Sequence, residues 1–140
     1  MACPFFMPTE RAGDIAFPHP ARLPLGTSWR GRCSVAGHEQ SVLDHKELEG
    51  CNLGYAKSCF RLPKERTCDA VRFVVVSDST EMISVQFVLE TGYLPAAHGV
   101  LEYDPRLRTW ISSHSDNRIQ KMAECFLQAY LDRNAHKRSS

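Results

Sequence analysis

Six cysteines in a chain of 140 residues are the groups with the clearest capacity for chemistry. Four of them stand in turn-like settings: Cys3-Pro4, Gly31-Arg32-Cys33-Ser34, Gly50-Cys51-Asn52-Leu53-Gly54 and Ser58-Cys59-Phe60. Small and turn-forming neighbours matter because they let backbone N–H groups reach a thiolate and offset its charge. In a reducing compartment, thiols serve as metal ligands or catalytic groups before they pair as disulfides. Cys3, Cys33, Cys51 and Cys59 are therefore expected to gather around one metal centre, with an iron–sulfur cluster of the 4Fe-4S type as the leading cofactor. A Cys-Pro pair also occurs in ferredoxin-type cluster motifs, although there within a tight run of cysteines.

Zinc is the rival cofactor. Structural zinc sites usually show two tight C-x2–4-C or H-x3–5-H pairs, and this chain has no C-x-x-C. A site of Cys33, His38, Cys51 and Cys59 stays open, because Cys33-x4-His38 is the closest Cys–His spacing among the candidates. So does an arrangement of buried thiols without metal. Cys68 could replace one of the four ligands, but reads more simply as a half-buried thiol at a strand start. Cys125, inside a helical pattern, reads as a packed small hydrophobe.

Other chemistry is thinly represented. His19, His38, His45, His98, His114 and His136 form no H-E-x-x-H pair, and no G-x-S-x-G, P-loop or dinucleotide fingerprint is present. Nothing selects one cysteine–histidine pair as a nucleophile and base, so no catalytic residue is assigned and the question of enzymatic activity stays open. Trp29, Tyr55 and Phe60 lie near the ligands in sequence and are expected to shield a cluster from water.

The elements that must position these thiols fall into two stretches. Residues 1–69 are rich in Pro, Gly and Cys, and Pro4, Pro8, Pro18, Pro20 and Pro24 exclude helices and central strands before residue 25. A long irregular segment needs an organiser other than a continuous hydrophobic core, and a metal centre would supply one. From residue 70 to 135 the pattern is regular. Val71–Ser77 reads as a strand. In Met82–Glu90, Ile83, Val85, Phe87 and Leu89 alternate with Ser84, Gln86, Val88 and Glu90 as a half-buried strand. Gly92–Pro95 is expected as a loop, Gly99–Tyr103 as a third strand and Thr109–Ile111 as a fourth. A helix capped by Ser115 or Asp116 should run to about Arg133, with Ile119, Met122, Ala123, Phe126, Leu127 and Tyr130 on one face. The expected fold is α+β within a single domain, 1–140: a loop-rich, cysteine-bearing N-terminal half on a small antiparallel sheet with a C-terminal helix.

The chain resembles a group of small bacterial proteins that share these cysteine motifs and have no assigned activity. The resemblance rests on Cys3-Pro4-Phe5-Phe6, Gly31-Arg32-Cys33, and Cys51-Asn52-Leu53-Gly54-Tyr55-Ala56 followed by Cys59. It continues through His98-Gly99-Val100-Leu101-Glu102-Tyr103-Asp104 and the final helix. It implies that the cysteine set and the C-terminal unit belong together, and it carries over no function.

Composition bounds the partners. A net charge of +1 and a pI near 7.7 do not suggest nucleic-acid binding. The basic Arg133, His136, Lys137 and Arg138 read as a solvated end. No apolar run is long enough for a membrane span, and the proline-broken start lacks a secretory n-region. The expected setting is the cytoplasm. The expected function is that of a small iron–sulfur protein in electron transfer or in a larger redox assembly, with a protein redox partner. The alternative is a binding or scaffold module, stabilised by zinc or free of metal.

Overall fold

The fold is given by a computed structural model that describes residues 2–12, 24–40, 42–53, 59–61, 63, 68–92 and 94–138, with the backbone alone for 45 and 135–138. It is α+β, as the sequence implies. Alternation builds the C-terminal sheet. Along β1 (Phe6–Arg11), β2 (Trp29–Cys33), β3 (Ala70–Asp78), β4 (Ile83–Thr91), β5 (Leu94–Asp104) and β6 (Thr109–Trp110), the last four strands form an antiparallel meander in chain order. Val71 and Phe73 of β3 and Ile83 and Val85 of β4 point into the core, while Arg72 and Val74 face outward.

Two details depart from simple alternation. Val88 and Glu90 are buried rather than solvent-facing. The Glu90 carboxylate lies 3.5 Å from Arg72 Nε, and the β4–β5 register slips between Leu89 and Glu90. The expected loop before the third strand is a tight turn at Gly92 (φ +58°), so β5 begins at Leu94 and is longer than its apolar centre suggests.

The C-terminal helix is α2 (Asn117–Arg138); α1 (His45–Leu53) precedes the meander. Asp116 caps α2: its side chain accepts from the Arg118 N–H at 2.9 Å, and its carbonyl accepts from the Gln120 N–H at 3.0 Å. Ile119, Met122, Ala123, Phe126 and Leu127 are buried as their spacing requires, Tyr130 is half-buried, and Phe126 stacks on Phe73 at 5.7 Å. Tyr130 Oη donates to Asp78 at 2.6 Å, tying the helix to the end of β3. The helix continues past Arg133, so the basic end is helical through Arg138. Among the described residues, no helix is long and apolar enough to cross a membrane.

The N-terminal region corrects an expectation. It is not organised without a core. Ala2, Cys3, Phe6, Leu25, Trp29 and Leu48 belong to the same buried cluster as Val71, Ile83 and Met122. Ala2 and Val71 exchange backbone hydrogen bonds of 2.7 and 2.8 Å, which joins the start of the chain to β3. β1 pairs antiparallel with β2 and contains Pro8. A two-stranded sheet consists of edges only, so the missing proline N–H is tolerated, and the register shifts just beyond it, between Pro8 and Glu10.

Candidate metal centre

Three clips bring the cysteine-bearing segments together. The first is the β1–β2 ladder, which places Phe6 opposite Cys33. Its strands approach closely at Gly31: a Cβ there would lie 2.2 Å from the Met7 carbonyl oxygen and 2.7 Å from the Phe6 ring. The glycine two residues before Cys33 is thus required by β1 lying against it. Ser34 extends the ladder, its N–H and its hydroxyl both donating to the Phe5 carbonyl at 2.8 and 2.7 Å.

The second clip positions Cys51. Helix α1 begins with a reciprocal capping box: the Glu47 N–H donates to the Asp44 side chain at 2.8 Å, and the Asp44 N–H donates to the Glu47 side chain at 3.2 Å. Asn52, buried next to Cys51, accepts from the Trp29 N–H at 3.0 Å and donates to the Trp29 and Leu48 carbonyls at 3.0 and 2.8 Å. One amide side chain therefore fixes α1 to the edge of β2. The third clip is the Cys3 N–H, which donates to the Cys51 carbonyl at 3.0 Å.

The result is a cavity of about 620 Å³ whose wall includes Cys3, Cys33, Cys51 and Cys59. Four segments deliver one thiol each: the turn before β1, the end of β2, helix α1, and the stretch that follows it. Cys3 and Cys33 are buried, and Cys51 and Cys59 are half-buried. None of the six cysteines is in a disulfide. Phe5, Phe6, Val35 and Leu43 supply apolar wall, with Phe60 at the rim, 78% exposed.

Electrostatics report the same convergence. Burial pushes the Cys3 thiol from its ordinary 9.0 up to about 12. The backbone N–H groups of Phe5 and Phe6, directed at its sulfur, oppose the rise, while negative charge on Cys33 and Cys59 would add to it. Cys51 is raised for the same leading reason, burial, and then by Cys3, Cys33 and Cys59. Thiols so placed hold their protons until a cation takes their place; coordination inverts the balance by deprotonating them. Among the described residues, no three His, Cys, Asp or Glu side chains converge tightly enough to hold a single metal ion.

The remaining candidates separate from this wall. Cys68 and Cys125 are buried in the shared core, and neither borders the cavity. His38 does not line it either; its ring meets Phe60 edge-on at 6.1 Å. Trp29 lies in the core with Nε1 donating to the Leu25 carbonyl, so the apolar wall comes from residues other than the expected tryptophan. His98 is exposed on β5, and His114 Nδ1 accepts from the Asp116 N–H at 2.9 Å. Tyr55 and His19, and the side chains of His45 and His136, lie outside the described residues.

Sequence reasoning missed two arginines. Arg61 lines the cavity and pairs with Glu47. Arg118 pairs with Asp116 at 2.8 Å, stands over the Phe5 ring at 4.6 Å and acts electrostatically on Cys68 and Cys3. The Asp44-x-x-Glu47 box could have revealed α1. No local signal marks either arginine. Compared with protein-family models, curated proteins and solved structures, the chain matches none.

Proposed function

We propose that Cys3, Cys33, Cys51 and Cys59 bind an iron–sulfur cluster, of the 4Fe-4S type, and that the protein carries electrons or serves as a subunit of a redox assembly. One observation carries the reading: four thiols from four separate segments border one cavity of about 620 Å³. A water molecule takes up about 30 Å³ of liquid, so the space suits a group of several atoms better than one ion. The donor set fits as well. Thiolates are the usual cluster ligands, and the N–H groups of Phe5 and Phe6 at the Cys3 sulfur are of the kind that tune a cluster. When bound, the cluster would supply one-electron transfer. The chain's own residues hold it, keep water from the Phe5, Phe6 and Val35 side, and leave Phe60 at the open rim. Four protein thiolates leave no open iron position, which favours electron transfer over catalysis at iron. The reading places the protein in a reducing compartment such as the cytoplasm, with a protein redox partner.

The test is anaerobic purification with iron, acid-labile sulfide and zinc counted, together with visible and EPR spectra. Iron and sulfide in near-equal amounts, lost in Cys51→Ser and Cys59→Ser, are expected. Iron and sulfide absent from anaerobic preparations overturn the reading. Zinc at one per chain, with unfolding on chelation, would establish a structural zinc site instead.

A further inference from the structure

Arg61 is a cation held at the cavity wall. Its side chain is 11% exposed, Nη1 is engaged by Glu47, and the guanidinium lies 4.6 Å over the Phe60 ring. Its Nε is buried and has no hydrogen-bond partner among the described residues. That atom is sealed from solvent, so it does not open into the cavity, and the guanidinium acts there through its charge. Arg61 borders the cavity, and its charge acts on Cys59 and Cys33.

Resting on the iron–sulfur reading above, we infer that Arg61 supplies a fixed positive charge beside the bound cluster and raises its reduction potential. One-electron reduction adds a negative charge to the cluster. A fixed cation beside it stabilises the reduced form, and Glu47, by partly neutralising that cation, opposes the effect. The two residues of one ion pair should therefore move the potential in opposite directions. A role confined to holding the chain after Cys59 would not produce that sign pattern.

The experiment is a mediator-assisted titration of the anaerobically purified full chain with dithionite as electron donor, read by visible and EPR spectra, with iron and sulfide counted in every sample. Arg61→Gln should lower the oxidised-to-reduced midpoint by at least about 59 mV, a tenfold change for one electron. Glu47→Gln, which keeps the capping box of α1 because glutamine serves there too, should raise it. Arg61→Lys keeps the charge and should stay closer to wild type than Arg61→Gln does. An iron-loaded wild type with an unchanged potential in Arg61→Gln overturns this inference and leaves the iron–sulfur reading standing. Should Arg61→Gln fail to load, an unmoved or lowered potential in Glu47→Gln overturns it equally. Wild type without iron and sulfide overturns the cluster reading, and this inference with it.

Discussion

The meander with α2 and the cysteine-bearing region before it are built on different rules, although they share one core. In the C-terminal part, stability comes from repetition: period-two strands and a 22-residue helix bury side chains by pattern. In the N-terminal part the elements are short, and single side chains decide their placement. Asn52 joins α1 to β2, Gly31 lets β1 lie against β2, and Ser34 holds Phe5. A region assembled from clips need not close on itself. The space it leaves is the cavity with the four thiols.

The strongest way to break this comparison is to test whether the regions are energetically one. Phe6 is almost fully buried and belongs to the core cluster that includes Met122 and Ile83. Phe6→Ala should cost about 3–5 kcal/mol and lower the stability of the whole chain in a single denaturant transition. Two separate transitions, with the meander unaffected, would show that the core is divided.

A smaller effect should follow from the amide clip. Asn52→Ala leaves the Trp29 N–H and carbonyl without their buried partner, at a cost of about 1–3 kcal/mol. Because α1 also carries Cys51, the alkylation rate of that thiol in metal-free protein should rise, while Cys125 in α2 keeps its rate. Equal acceleration at both cysteines would mean general loosening instead.

The thiols themselves predict a pH dependence confined to metal-free protein. In the unfolded chain Cys3 ionises near its ordinary 9.0, whereas in the folded chain it holds its proton to about 12. Between those values the folded state binds more protons, so stability falls as pH rises; below about 9 the contribution is fully present. The slope should be at most about 1.4 kcal/mol per pH unit for each such thiol. Denaturation midpoints from pH 7 to 10.5 check it. Cys3→Ala should flatten the alkaline slope, and a slope unchanged by that substitution would place its origin elsewhere.

The smallest effect belongs to the ion pair between the two regions, Arg11 of β1 with Asp132 of α2. Both side chains are largely in water, 42% and 55% exposed. Arg11→Gln should cost about 0–1 kcal/mol, and less at high salt. A thermal melt that moved further would show that this surface contact helps hold the regions together.

By itself the sequence determined α2 and most of the meander, because side-chain period reports the buried face directly; it failed in the second half of β4, where Val88 and Glu90 are the buried residues, and at the start of β5. Val71, Ile83, Val85 and Met122 are buried as their spacing requires, and Cys125 packs as a small hydrophobe. It also pointed to the four cysteines that border the cavity, through the turn residues beside each one. Only the tertiary structure decided the rest. α1 was legible as a capping box but carries little amphipathic signal, and Pro8 obscured β1 because its tolerance depends on how many strands the sheet has. The burial of Trp29, the separation of Cys68 and His38 from the cavity, and the arrival of Arg61 near Cys33 all depend on contacts between distant segments. Periodicity encodes which way a side chain points along its own element. It says nothing about which other element will be there to meet it.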